Sequence, residues 1–272
     1  MIRRRQVFMK PRKSLGQCFL TNQSMAIVAA EHAEGKRVLE LGPGYGILTR
    51  ELCERADRVV AVEIDRGLFG MLKTELNYDN LTLINKDFFS ASADELLLAD
   101  TDIMIANVPY GLSSRVLDFL LEHRLQAVLF LQKEFAEHMS AEPGSRKYSR
   151  LSVMSQLGFS VTKIMDVPRG NFNPAPKVDS IILYIKPKDR EITSGEKEMI
   201  NLLMQHKKKT VRASVLDSFV RLGVGRKLLG EMIRGMQEGE LRVFQMDPEE
   251  ILALAKKLEV ILGNKAPAPG RV

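Results

Sequence analysis

From Lys36 onward the chain alternates short apolar runs with amphipathic stretches, the pattern of a parallel sheet whose strands are joined by crossover helices. The apolar runs predict strands over residues 37–41, 58–63, 81–85, 102–106, 127–132, 160–167 and 180–186. Most are continuous in Val, Ile and Leu, as strands buried on both faces should be. The clearest helices between them are expected over 47–56, 66–76, 113–122 and 133–141. Charged residues gather around 187–193, and beyond them the period stays helical over 196–205, 210–222, 226–233 and 248–261, with Asp247-Pro248 as a helix start. The expectation is an α/β fold, a Rossmann-like sheet with helices on both faces, over 14–187, then a small all-helical domain over 188–262. Residues 1–13 read as a basic arm. Residues 263–272, rich in Gly and Pro without apolar periodicity, read as a poorly ordered tail.

Composition adds limits to this picture. With 272 residues, 45% of them hydrophobic and 27% charged, the chain can bury a core without disulfide or metal staples. No apolar run approaches the roughly 18 residues of a membrane span, and none follows the basic start, so no membrane association and a cytoplasmic location are expected. Cys18 and Cys53 fall in no CxxC pattern and histidines are few, so no metal site is expected. The net charge of +6 suits a polyanionic partner. Its distribution is more specific: Arg3, Arg4, Arg5, Lys10, Arg12 and Lys13 share the first 13 residues with no acid, and Lys207, Lys208, Lys209 and Arg212 cluster late. Both groups are candidate nucleic-acid contacts; the alternative for each is a solvated tail or helix face.

The sharpest local signal is Val38-Leu39-Glu40-Leu41-Gly42-Pro43-Gly44-Tyr45-Gly46, a strand running into a glycine turn and then a helix. Gly42 and Gly44 let backbone approach a ligand, and the helix start offers unpaired amides. The spacing is GxGxG, whereas a dinucleotide loop reads GxGxxG. Glu63 ends the second strand, where a carboxylate can accept both hydroxyls of a ribose, and Asp87 follows the third, where it can accept from a base amine. Ile64 and Phe88 beside them are further candidates for the lining. An adenosyl group fits this set, although each feature alone also fits an ordinary turn or a solvated acid.

Asn107-Val108-Pro109-Tyr110 follows the fourth strand. The exocyclic amine of adenine is a poor nucleophile because its lone pair is delocalised into the ring. The Asn107 side-chain oxygen and the Val108 carbonyl can hold the amine hydrogens while the nitrogen becomes tetrahedral, and Pro109 fixes the turn. Tyr110 offers a face for an extruded base, worth roughly 1–3 kcal/mol. No strong base is required, and positioning with acceptor electrostatics would be the main catalytic device. Phe172, in the Pro-rich loop 170–180, is a candidate for closing the other side of the base; a core-facing aromatic is the alternative.

Together, residues 13–20 (Lys-Ser-Leu-Gly-Gln-Cys-Phe-Leu), 40–46, 62–65 (Val-Glu-Ile-Asp), 86–87, 107–110 and 172–180 resemble the small-subunit ribosomal RNA adenine dimethyltransferases, the KsgA-type family, which has the antibiotic-resistance rRNA adenine methylases as close relatives. The resemblance implies S-adenosylmethionine as cofactor, with Gln17, Cys18 and Leu20 lining its methionine and adenosine side, Gly42 its glycine loop, Glu63 the ribose, Asp87 the adenine, and Asn107 the junction with the target base. It further implies dimethylation of two adjacent adenosines in a hairpin near the 3′ end of small-subunit rRNA, within the pre-ribosomal small subunit and late in ribosome assembly, by a metal-free monomer. His206-Lys207-Lys208-Lys209-Thr210-Val211-Arg212 resembles the family's basic element that grips rRNA phosphates. Cys18 stands where the family usually carries asparagine or histidine. Val108 stands where leucine or isoleucine is common.

Three other functions share some of these features. One is methylation of large-subunit rRNA or DNA adenine, which the target rather than the pocket would distinguish. Another is a non-catalytic RNA-binding assembly factor, against which the intact Gly42, Glu63, Asp87, Asn107 and Tyr110 argue. An NAD-linked dehydrogenase has the wrong glycine spacing and lacks a catalytic acid or base.

Overall fold

A computed structural model describes residues 17–218, 220, 222–223 and 225–262. The expected arm 1–13, with the candidate RNA contacts Arg3, Arg4, Arg5, Lys10, Arg12 and Lys13, and the expected tail 263–272 lie outside the described residues. By density of internal contacts the chain divides into two units, one of residues 1–136 and 160–187, the other of 137–159 and 188–272.

The first unit opens with strand β1 (Phe19–Leu20) and helix α1 (Gln23–Ala30). There follow β2 (Arg37–Leu41), α2 (Ile47–Cys53), β3 (Arg58–Val62), α3 (Arg66–Glu75), β4 (Leu81–Ile84), β5 (Ile103–Asn107), α4 (Ser113–Glu122), β6 (Gln126–Gln132) and α5 (Lys133–Met139). After α6 (Arg150–Gly158) come β7 (Phe159–Val167), β8 (Phe172–Asn173) and β9 (Ser180–Pro187). The seven-stranded sheet has the order β4-β3-β2-β5-β6-β9-β7. Its first five strands are parallel, as the apolar runs predict, whereas β9 runs antiparallel to β6. The sheet is therefore mixed. β2, β3, β5 and β6 are buried along nearly their whole length, in keeping with their unbroken aliphatic sequences.

At the amino ends of the strands, Arg37 fastens β2 to the start of β5: its guanidinium and backbone N–H donate to Asp102 at 2.7–2.9 Å. This pair holds the Asp102 carboxyl down at about 2.

Helix α1 was not expected, for a physical reason. Ala26, Ala29 and Ala30 are fully buried, and after the exposed Gln23 and Ser24 of its first turn the helix is apolar throughout, so no polar face recurs to mark its period. The two-residue pairing of β1 with β8 is too short to leave a pattern. Helix α6 was missed likewise: its buried positions include Ser152 and Ser155 alongside Val153, Met154 and Leu157.

The second unit corrects the expected boundary in one respect. Residues 137–159 belong with the helical elements, because α6 packs on α7 (Ser194–Gln205) and α10 (Pro248–Leu262). Between these two lie α8 (Val211–Asp217) and α9 (Arg226–Met232). Thr193 and Glu196 form a capping box on α7, and the Thr210 hydroxyl accepts from Ala213 N–H to start α8. Helix α8 is shorter than the expected 210–222; it ends where the Ser218 hydroxyl donates back to the Ser214 carbonyl at 3.0 Å.

Candidate active site

Strand register brings the marked residues together. Leu41 pairs with Val62 and Val62 with Ile84, so β2, β3 and β4 end level with one another. The ladder runs on one step, with Gly42 N–H donating to Val62 and Glu63 N–H to Ile84, both at 2.9 Å. Gly42, Glu63 and Asp87 therefore leave the sheet side by side, and Asn107 ends β5 on the other side of β2. They surround a cavity of about 460 Å³, within the range of small-molecule sites.

Glycine is needed at the turn. Gly42, Gly44 and Gly46 have φ of 68°, 58° and 74°. A Cβ on Gly44 would sit 2.8 Å from the Phe19 ring, and one on Gly46 2.9 Å from Leu72. A Cβ on Gly42 would meet no atom within 4 Å, because that position faces the cavity.

Glu63 is only 3% exposed. One of its carboxylate oxygens accepts from Gly44 N–H at 3.2 Å and the other from Asp65 N–H at 2.8 Å, which ties the glycine turn to the end of β3. A carboxylate has about four acceptor positions, so each oxygen keeps capacity for a further donor. Burial raises its pKa, and the two backbone N–H groups oppose the rise. Asp87 is exposed and caps a short turn by accepting from Phe89 N–H at 3.0 Å, through one oxygen only. Beneath the glycine turn, Glu40 is 1% exposed and its Oε2 has no partner. Burial is the main cause that pushes its carboxyl up to about 8; the Thr49 side chain opposes the shift and the nearby Glu63 carboxylate adds to it.

Asn107 is oriented by a bond that sequence did not suggest. Its Nδ2 donates to the Cys18 carbonyl oxygen at 3.0 Å, which engages the donor end of the amide and leaves Oδ1 as the acceptor end. The work of Cys18 at this point is done by its backbone, and burial pushes its thiol up. Val108 is buried, and Pro109 precedes a short turn over Tyr110–Leu112 that leads into α4. The Tyr110 hydroxyl shares a hydrogen bond with the buried Ser180 hydroxyl at 3.1 Å, fixing its ring against the cavity wall.

Of the candidate ligand contacts, Gln17, Cys18, Gly42, Gly44, Glu63, Ile64, Asp87, Phe88, Asn107, Val108, Pro109 and Tyr110 line this one cavity. Leu20 does not; it is buried and borders a void of about 20 Å³ behind the glycine turn, together with Glu40 and Leu48. Phe172 is corrected. It is 4% exposed, packs in the core cluster with Leu20 and Val167, and pairs in register with Leu20. Its function is to hold β1, and so Gln17 and Cys18, in place. Sequence reasoning missed Phe19, Lys86, Leu112 and Arg115, which also line the cavity. Phe19 and Lys86 lie inside the family-like stretches 13–20 and 86–87, whereas the signal for Leu112 and Arg115 is position alone, two and five residues after Tyr110.

In the helical unit the basic run Lys207, Lys208, Lys209 and Arg212 is mostly engaged by its own fold. Lys207 Nζ donates to the Tyr148 carbonyl, and Lys209 pairs with Asp217. Arg212 donates to the Arg234 carbonyl at 3.4 Å and lies 3.8 Å from Glu240. Lys208 alone of the four is exposed with no side-chain partner among the described residues. Among the described residues no helix is long and apolar enough to cross a membrane, and no group of three or more His, Cys, Asp or Glu stands ready to hold a metal.

Residues 8–257 match the family model described as ribosomal RNA adenine dimethylase. The chain is 39% identical over 266 residues to a probable ribosomal RNA small subunit methyltransferase A of Methanopyrus kandleri, covering 93% of this chain and 94% of the relative. It is 37% identical over 249 residues to the protein of the same description from Thermococcus gammatolerans, covering 90% and 88%. Among solved structures, a dimethyladenosine transferase from Plasmodium falciparum superposes with a TM-score of 0.74 at 28% identity, covering 89% of this chain and 98% of that one. The 23S rRNA methyltransferase ErmE superposes with a TM-score of 0.61 at 28% identity, covering 89% and 99%.

Proposed function

The chain belongs to the ribosomal RNA adenine dimethylase family, and on that premise we propose that it transfers methyl groups from S-adenosylmethionine to the exocyclic amines of two adjacent adenosines in a hairpin near the 3′ end of small-subunit rRNA. It does so as a cytoplasmic monomer acting on the assembling small subunit. The small subunit is favoured over the large by the descriptions of the curated relatives.

The residues present fit the donor. Glu63 retains acceptor capacity for ribose hydroxyls, Asp87 for an adenine amine, and the open space over Gly42 admits a ligand against the backbone. When bound, S-adenosylmethionine supplies an electrophilic methyl group on a sulfonium. The protein's own residues prepare the other partner. Asn107 Oδ1 and the Val108 carbonyl accept the two amine hydrogens of the target adenine, withdrawing its lone pair from the ring and aiming it into the cavity. Tyr110, held by Ser180, stacks on the extruded base and repays part of the few kcal/mol, roughly, that unstacking costs. The excess proton of the methylated amine passes to solvent, so no buried base is needed.

The observation that carries this reading is the Asn107 amide, whose Nδ2 is fixed on the Cys18 carbonyl so that an acceptor, not a donor, serves the amine. The test is transfer of labelled methyl from S-adenosylmethionine to small subunits lacking the modification, beside large subunits and DNA, with the product nucleoside identified. Dimethyladenosine confined to small-subunit rRNA is expected. Transfer to large subunits or DNA instead, or donor binding with no transfer, would overturn it.

A further inference from the structure

Two cations line the cavity, Lys86 and Arg115, and they differ in what answers them. Lys86 Nζ donates to both carboxylate oxygens of Glu95 at 2.7 and 2.8 Å, so its charge is neutralised locally. The exposed Arg115, on the first turn of α4, has no ion pair and no hydrogen-bond partner among the described residues. Its guanidinium instead lies 3.9 Å over the Phe89 ring centroid. That platform is anchored: Phe89 meets the buried Phe88 edge-on at 5.2 Å, and Phe88 meets Phe119 of the same helix α4 at 5.1 Å. One face of the guanidinium is thus covered while its edge, which carries the N–H fork, stays open at the mouth of the cavity.

An unanswered cation is out of place beside a donor whose reactive group is itself a cation, and the lining already opposes that charge with Glu63 and Asp87. What the fork matches is an oxyanion approached edge-on. Arg115 stands five residues after Tyr110, on the segment where the target base is expected to enter.

We propose that Arg115 is a positioning residue that grips a phosphate of the RNA strand beside the target adenosine, with Phe89 as its backing plate. This rests on the functional reading above and deepens it, because the phosphate contact fixes where the strand lies while Asn107 handles the base. The rival oxyanion is the carboxylate of the donor, and the test separates the two.

Arg115→Ala and Arg115→Lys are compared with the wild type in three measurements: donor affinity by calorimetry, KM and kcat for small-subunit rRNA, and affinity for a short RNA hairpin with looped adenosines as a function of salt. An exposed helical position accepts alanine without loss of fold. For Arg115→Ala the expectation is a KM for RNA raised roughly tenfold with kcat and donor affinity held, and a salt slope for hairpin binding reduced by about 0.7. Arg115→Lys, which keeps the charge and loses the fork, should retain the slope and recover part of the KM. Loss of donor affinity in Arg115→Ala would assign the residue to the donor carboxylate and overturn the proposal. Unchanged KM and salt slope would overturn it as well, while transfer by the wild type would leave the functional reading standing. An Arg115-dependent salt slope without any transfer by the wild type would overturn that reading alone, and a wild type that binds no RNA would overturn both.

Discussion

The polar groups at the strand ends of the sheet unit and the cations of residues 207–212 in the helical unit are in opposite chemical situations. Glu63, Asp87 and Asn107 each use part of their hydrogen-bonding capacity to hold the local backbone and keep the remainder facing a cavity. Lys207, Lys209 and Arg212 direct their charges at a carbonyl or a carboxylate of their own unit. A side chain already paired in the folded state must give up those contacts before it can serve a ligand, so charge in the sequence is most available for binding where the fold leaves it unanswered. By that measure Lys208 and Arg115 are better placed for RNA than three of the four members of the basic run.

The comparison can be broken most severely at Asn107. Asn107→Ala should lower kcat by roughly 10²–10³, as loss of one precisely placed polar group in a reaction site does, while donor affinity measured by calorimetry barely changes. Glu63→Ala should reverse the pattern, weakening donor binding by about ten- to a hundredfold because bonds to a charged acceptor are lost. Equal loss of both properties in both variants would show that the open valences of the cavity do not divide the work.

Open valences also cost stability, which Glu40 makes measurable. Its folded carboxyl is raised to about 8 by burial, whereas the unfolded one titrates near its ordinary 4.5. Between those values the folded state holds a proton that the unfolded state has released, so stability of the ligand-free protein should fall as pH rises from about 4.5 to about 8. The expected change is about 4 kcal/mol, from a window of about 3.5 pH units at about 1.4 kcal/mol each, less the rounding at its two ends, and Glu40→Gln should remove it, checked by urea unfolding across that range. A wild type and variant with parallel pH profiles would contradict the account of Glu40.

The smallest effects lie in the basic run and sharpen the contrast within it. Lys207→Met should cost about 1–2 kcal/mol of stability through the orphaned Tyr148 carbonyl contact, and Lys208→Ala should stay within about 0.5 kcal/mol while weakening RNA binding and its salt slope. Thermal melts beside RNA titrations decide this. A destabilised Lys208→Ala, or a Lys207→Met that alters only RNA binding, would invert the assignment.

The same distinction explains what could be read before the structure. Strands such as residues 37–41 were legible because continuous aliphatic runs have one good solution, burial on both faces. The cavity lining was legible because glycines, carboxylates and the Asn-Val-Pro-Tyr segment each follow a strand. What sequence leaves open is where a side chain's remaining valence points. Phe172 shows this, since an aromatic in a Pro-rich loop fits a base-stacking face and a core plug equally well, and only the pairing of β1 with β8 decides for the core. Cys18 shows it again: its contribution is a carbonyl, which no residue type reveals. Helix α6 is hidden because burial on most sides, serines included, erases the polar face that marks a helical period, and α1 because its sequence is apolar throughout after its first turn.

The most direct test of the central claim is a crystal structure with S-adenosylhomocysteine and adenosine monophosphate bound together. The account predicts the ribose hydroxyls of the cofactor on Glu63, its adenine amine on Asp87, and the exocyclic amine of the nucleotide held by Asn107 Oδ1 and the Val108 carbonyl with its ring against Tyr110. A cofactor bound away from Glu63, or a nucleotide amine facing the Asn107 Nδ2, would contradict it.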